Sequence, residues 1–133
     1  SGVENLAKLG RMNASSMVIQ SEKLPVFEAF RANDEDSTTR WWAAESKNQY
    51  LEVEWVKTQT FHQIIVDEYE NNIQAYKIQY WENGEWKDIV QGTTCGTNKT
   101  HQFDAVKTTK CRLFIAIAKQ KPSITEFKIL YND

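Results

Sequence analysis

The sequence predicts an all-β protein, an antiparallel β-sandwich of jelly-roll type with eight main strands. Three observations predict it. Apolar residues recur with a period of two along most of the chain, not 3.6. Each such segment has one apolar face, the pattern of antiparallel sheets packed on one side. Asn83-Gly84, lying between two aromatic-rich runs, is the signal for a two-residue type I′ hairpin. Several short strands divided by turn signals indicate a sandwich or barrel.

The elements follow in order. Leu51, Val53 and Trp55 alternate with Glu52 and Glu54, and His62, Ile64 and Val66 with Gln63 and Asp67. Tyr76, Ile78 and Tyr80 alternate with Lys77 and Gln79 ahead of the Asn83-Gly84 turn. Cys111, Leu113, Ile115 and Ile117 share one face, as do Thr125, Phe127, Ile129 and Tyr131, with Glu126 pointing away. His62, on an apolar face, is expected to be a core histidine. Helix signal is confined to Val26–Ala32, where Pro25 suits the first position of a single turn.

At 133 residues the chain is one domain, residues 1–133, large enough for a core. A hydrophobic content of 41% excludes disorder. The net charge of −2 and the lack of a basic run give nucleic-acid binding no electrostatic support. The longest apolar run, Leu113 to Ala118, has strand length, well short of the roughly 20 residues of a membrane helix, so no membrane insertion is expected. No signal peptide is visible, and Ser1-Gly2 reads as the boundary of a module excised from a larger protein. Cys95 and Cys111 do not make a disulfide framework. They read as two small buried hydrophobes, with a bridge between them the alternative.

The segment Ala32-Asn33-Asp34-Glu35-Asp36-Ser37-Thr38-Thr39-Arg40-Trp41 sets three carboxylates and three hydroxyls side by side, then turns aromatic. Such oxygens are the hard ligands Ca2+ prefers, and a loop this acidic repels itself unless a cation or basic side chains sit in it. An EF-hand would use Asp34, Asp36, Thr38 and Glu45, but Thr39 stands where that loop needs Gly and flanking helices are lacking.

Asp34, Thr39, Arg40 and Trp41 form the pattern D-x-x-x-x-T-R-W, which resembles the signature loop of the discoidin domains, or coagulation factor 5/8 type C domains. Their sugar-binding bacterial members are the family 32 carbohydrate-binding modules. The resemblance continues through Asn5-Leu6-Ala7 and Ala14-Ser15-Ser16 as an opening strand, Tyr50 to Trp55, Ile73 to Trp81 with Gly84-Glu85-Trp86, Lys110 to Leu113, and Ser123 to Phe127. The loops at Glu68-Tyr69 and Gly92–Gly96 look most like modules appended to bacterial α-L-fucosidases and related glycosidases.

The resemblance implies one structural Ca2+ tying the acidic loop to the last strand. Asp34 would give its carboxylate, Thr39 its hydroxyl, Arg31 and Asp36 their carbonyls. Glu126 would close the site beside the Thr125 carbonyl. The family usually has Gly after the Asp; Glu35 stands there, which is tolerated if its φ is negative. The resemblance also implies a shallow sugar site on loops at one end, with affinity of about 0.1–1 mM, or roughly −4 to −5.5 kcal/mol. Trp42, expected to point outward by alternation from a buried Trp41, is the stacking platform. Three loops supply the candidates: Trp42 to Glu45; Asp67 to Asn72, whose Glu68, Tyr69, Asn71 and Asn72 are hydroxyl partners; and Thr94 to His101, with Lys99 its one cation. Galactose-binding relatives carry an Arg near Asp67 and a His after the signature. This chain has neither, and Trp42 stands where the His would be, so galactose specificity does not carry over.

No catalytic set is present: Cys95 and His101 match no nucleophile motif, Glu52 and Glu54 read as a solvated face, and two His with two Cys lack zinc spacing. The expectation is a monomeric, non-catalytic carbohydrate-binding module of a secreted, surface or periplasmic glycoside hydrolase, its partners a terminal sugar and the catalytic domain of the same polypeptide. The alternative is a discoidin-type adhesion, protein-interaction or domain-packing module without sugar binding. Lys119 to Pro122, the only basic turn, gives lipid little to hold.

Overall fold

Eight strands form one hydrogen-bonded network in the computed structural model, which describes residues 4–19 and 27–131. They are β1 (Glu4–Asn5), β2 (Arg11–Ala14), β3 (Trp41–Trp42), β4 (Lys47–Tyr69), β5 (Ile73–Glu82), β6 (Glu85–Gly92), β7 (Lys99–Ala118) and β8 (Ser123–Tyr131). Short 3₁₀ turns occupy Leu6–Leu9 and Ala29–Ala32. All pairings are antiparallel.

Two long strands make the sandwich. The first half of β4 pairs with β2 and with the second half of β7, which also pairs with β5, and β5 with β6. The second half of β4 pairs with β8 and with the first half of β7, while β1 and β3 pair with β8. β4 and β7 therefore run through both layers, turning at register shifts between Glu54 and Gln59 and between Phe61 and Gln63. Bulges bend a strand in this way. Trp41, Leu51, Val53, Ile64, Ile78, Leu113, Ile115, Phe127 and Ile129 fill the space between the layers with no exposed surface.

The Asn83-Gly84 hairpin forms as its residues require. Asn83 has φ 52° and Gly84 φ 79°, and Glu82 pairs with Glu85. The expected turn near Val26–Ala32 is the 3₁₀ segment Ala29–Ala32, Pro25 and Val26 lying outside the described residues. The expected opening strand is divided. Asn5 ends β1, Leu6 and Ala7 enter a 3₁₀ turn, and β2 stops at Ala14. The Asn5 side chain explains the turn, accepting from Ala7 N at 3.1 Å and from Ile129 N at 3.1 Å.

Three alternation readings are corrected by bulges and strand ends. The shift beside Phe61 puts Phe61 into the core and leaves His62 half-exposed, edge-on to Tyr131 at 5.6 Å, so His62 is not a core histidine. Ile117 and Tyr131, expected inward, are exposed near the ends of their strands, and Ala118 is the buried residue beside Ile117. In β8 the inward residues are Ile124 and Phe127, because Thr125 is an extra residue between the pairs Glu68–Ile124 and Asp67–Glu126. Among the described residues no helix is long and apolar enough to cross a membrane.

Candidate functional site

The bulge at Thr125 positions Glu126. With two residues between inward Ile124 and Phe127, the Glu126 side chain turns to the outer side of β8, yet the residue is only 5% exposed. The acidic loop covers it: Asn33 Nδ2 holds the loop base to Ala7 O at 2.9 Å, and Lys8 Nζ pairs with Glu35 Oε1 at 2.9 Å. No hydrogen bond of normal geometry reaches the Glu126 carboxylate, though the Glu35 backbone N–H lies near enough to favour its ionised form. Burial, then the negative charge of Asp34, pushes its pKa up to about 7.

The loop gathers further oxygens around Thr39. Its hydroxyl lies 2.5 Å from Asp34 Oδ2, 3.1 Å from Asp36 O and 3.4 Å from Arg31 O. One hydroxyl proton cannot serve three acceptors. Asp34 Oδ1 accepts from Asp36 N at 3.0 Å, and Asp36 Oδ1 from Thr38 N at 2.9 Å, which shapes the turn. The donor set is two carboxylates, two carbonyls and a hydroxyl, all hard oxygen. It fits Ca2+ rather than zinc, and no trio of His, Cys, Asp or Glu suited to a metal occurs among the described residues. The residue after Asp34 does not have the negative φ expected of a non-glycine. Glu35 sits at φ 57°, and its ion pair with Lys8 holds that conformation.

A second feature lies at the same end of the sandwich. β3 pairs with β8 through Trp41–Ile124 and Trp42–Ser123. Trp41 is buried, its indole N–H donating to Ser16 O at 2.8 Å. Trp42 faces the other way and is half-buried, with Phe27 edge-on at 5.0 Å. The Arg40 guanidinium stacks over Tyr69 at 4.1 Å and reaches Phe27 and Trp42 at 5.1 and 5.5 Å. Beside this cluster opens a groove of about 380 Å³ lined by Trp42, Glu45, Ser46, Glu70, Gln120 and Lys121. It joins an aromatic surface to two exposed carboxylates, an amide, a hydroxyl and an ammonium, the groups a polyhydroxylated ring can stack on and hydrogen-bond to.

The expected sugar contacts divide. Trp42 lines the groove, and exposed Tyr69 joins it through Arg40. Asn71 is exposed on the turn between β4 and β5, next to Glu70. Asn72 is engaged through its backbone: its N–H donates to Glu68 at 2.7 Å and its carbonyl accepts from Lys119 N at 2.8 Å. Lys99 is exposed at the start of β7, outside the groove lining. Glu68 is the clearest departure. It is 2% exposed, and its carboxylate accepts from the backbone of Asn72 (2.7 Å), Ile73 (3.0 Å) and Gly96 (3.1 Å). It ties the β4–β5 turn to the β6–β7 loop and has no surface to offer a ligand. Glu45 and Glu70 lie in two of the loops expected at the site, Trp42 to Glu45 and Asp67 to Asn72; Arg40 of the signature and Gln120 and Lys121 of the basic turn are added by the structure. Cys95 and Cys111 are free and buried, without a bridge, and burial pushes the Cys95 thiol up to about 12.

The fold is shared with solved structures. Chitosan-binding module 1 of a chitosanase/glucanase from Paenibacillus sp. IK-5 is 27% identical, covering 97% of this chain and 99% of that one at TM-score 0.83. The family 32 carbohydrate-binding module of C. perfringens NanJ, solved with galactose, is 20% identical over 97% and 99%, TM-score 0.79. A putative α-L-fucosidase from Bacteroides thetaiotaomicron is 17% identical at TM-score 0.86, and this chain spans 29% of its length. No curated protein sequence matches. The family model for the F5/8 type C domain matches residues 11–129, nearly the whole length over which the two layers are built, and the chain belongs to that family.

Proposed function

We propose that the protein is a non-catalytic carbohydrate-binding module that holds sugar in the Trp42 groove, with a structural Ca2+ in the acidic loop. The observation that carries the reading is the groove itself, a half-buried indole beside Glu45, Glu70, Gln120 and Lys121. Glu45 and Glu70 form no ion pair with any described residue, so their charge is open to a ligand. Together with the 27% identity to a chitosan-binding module, this favours a glycan bearing free amines, such as one containing glucosamine.

Arg31, Asp34, Asp36, Thr39 and Glu126 would hold the Ca2+; when bound, it would supply the positive charge that the Glu126 carboxylate and its neighbour Asp34 lack. It would fix the signature that ends in Trp41 and Trp42. The module would hold an attached glycoside hydrolase on its substrate and raise effective concentration. That work would lie outside the cytoplasm, on the cell surface or in the secreted or periplasmic space.

The test is an NMR titration of the calcium-loaded protein with β-1,4-linked glucosamine disaccharide, its N-acetylated counterpart and galactose. The expected result is a shift of the Trp42 indole N–H with Kd near 1 mM for the amine, and its loss in Trp42→Ala. If none of the three moves the groove signals, the protein is instead a domain-packing or protein-interaction module.

A further inference from the structure

The outer face of the β2–β4–β7–β5–β6 layer carries features that a merely solvated sheet face does not need. Outward positions on such a layer are ordinarily polar. Here Tyr50, Phe114 and Trp86 all point outward, gathered around the Arg112 guanidinium at 5.6, 5.1 and 4.3 Å. Arg112 donates to Gln79 Oε1 at 2.8 Å, Gln79 donates to Asp88 at 2.8 Å, and Lys77 pairs with Asp88 at 3.3 Å. Lys77 is thus paired with Asp88, while the Arg112 charge is held by the neutral Gln79 amide and the aromatic rings.

Next to this lattice runs a trough of about 430 Å³ across β7, β5 and β6. Its floor is Ala116, Ala75 and Gly92, and its rim Lys77, Gln91 and Thr93. The floor stays shallow at Gly92 because the Tyr76 ring lies beneath, where a Cβ would come within 2.8 Å of it. Lys77 stands opposite Phe114, so the trough opens directly onto the aromatic surface.

The trough and the Trp42 groove have no lining residue in common, and a wall of paired strand ends stands between them. Ser46, which lines the groove, accepts from Ala118 N at 2.8 Å; Ala118 pairs with Ile73; and Lys119 N holds Asn72 O. Ala116 and Ala75 each lie two residues beyond that wall, about 7 Å along their strands. A chain leaving the groove over the Glu70–Asn72 turn would cross the end of β5 at Ile73 to reach Ala75 in the trough.

We propose that the trough formed by Ala75, Gly92 and Ala116 is a second glycan subsite, so that the protein takes an extended stretch of polysaccharide rather than a terminal sugar alone. The inference rests on the sugar reading of the Trp42 groove. An apolar floor suits the C–H face of a pyranose, and a rim holding donors and acceptors in balance suits hydroxyls. A charged peptide finds no uncompensated charge there, and a packed catalytic domain would call for a broader apolar surface.

The experiment compares β-1,4-linked glucosamine disaccharide and hexasaccharide by titration calorimetry on the wild type, Ala75→Gln/Ala116→Gln and Trp42→Ala. The expected result is a hexasaccharide about tenfold or more tighter than the disaccharide, beyond the gain from sliding registers. The double variant should bring the hexasaccharide close to the disaccharide while leaving the latter unchanged, and Trp42→Ala should weaken both. NMR on the wild type gives an independent check, with amide shifts at Ala75, Gln91 and Ala116 for the long ligand only. Disaccharide binding with no gain for the hexasaccharide, or a gain with no shifts in the trough, overturns the second subsite and leaves the first. Binding of neither oligomer overturns both.

Discussion

Glu126→Gln separates two roles of one buried carboxylate, and it reverses sign with calcium. The folded-state pKa of Glu126 is raised from 4.5 to about 7. Without a cation the folded protein holds that proton more tightly than the unfolded chain. The stabilising effect is complete below pH 4.5 and is lost as the pH rises to about 7. The gap corresponds to about 3 kcal/mol of penalty for the ionised form at pH 8. Glutamine removes the charge and brings amide hydrogens to a pocket whose acceptors, Asp34 Oδ2 and the carbonyls of Arg31 and Asp36, share a single Thr39 hydroxyl. In chelator at pH 8 the variant should be up to about 3 kcal/mol more stable than wild type, and near pH 5 the two should converge. With Ca2+ at a hundredfold its Kd the wild type gains about 2.7 kcal/mol. The variant, short of one of two carboxylates, gains far less. Thermal melts at pH 5 and 8, each with chelator and with Ca2+, read all four cases, and about 1 kcal/mol moves Tm by roughly 3–5 °C at this size. A glutamine variant less stable than wild type in chelator at pH 8, or a wild-type Tm indifferent to Ca2+, refutes the reasoning.

Glu68→Ala removes the acceptor of three backbone N–H groups, that of Ile73 buried and those of Asn72 and Gly96 partly so, and should cost about 3–5 kcal/mol by chemical denaturation; a loss under 1 kcal/mol would mean water replaces the carboxylate. Glu35→Gly should melt a few degrees above Glu35→Ala, since both lose the Lys8 ion pair but only alanine keeps the strain of φ 57°. Cys95 and Cys111 should resist a thiol reagent in the folded protein and react together on unfolding, because both are buried; rapid labelling of one in native buffer would show that its loop opens.

Period-two alternation finds the core wherever a strand is regular. Leu51, Val53, Leu113 and Ile115 are all buried as their spacing requires. It fails where an inserted residue resets the pleat. Thr125 and the shift beside Phe61 are such insertions, and neither has a composition that announces a bulge. The site follows the same division. Asp34, Thr39 and Glu126 lie in or against one loop whose chemistry is written in consecutive residues. Glu68 is indistinguishable in sequence from its exposed neighbour Glu70. Only the return of the chain at Gly96 and the turn at Asn72 surrounds it with N–H groups. Of the groove, the loops holding Trp42, Glu45 and Glu70 were legible, whereas Gln120 and Lys121 join them only because the β7–β8 turn folds back beside them.

The acidic loop and the groove are joined through β8 and β3. β8 meets β3 through Ile124 and Ser123, and the residues that follow at once are Thr125 and Glu126. The bulge that turns Glu126 toward Asp34 is therefore next to the pair that fixes Trp42. Between Asp34 and Trp42 the chain runs through Arg40, whose guanidinium is stacked on Tyr69 at the head of the β4–β5 turn. A cation that pulls Asp34 and Glu126 together shortens the free path of every residue from Asp36 to Trp42, and so reduces the conformational entropy that a ligand must overcome in ordering the indole. On this basis calcium should tighten sugar binding without touching the sugar, a coupling measured by repeating the disaccharide titration in chelator. Equal affinity in chelator and in Ca2+, with the protein folded in both, would separate the two features.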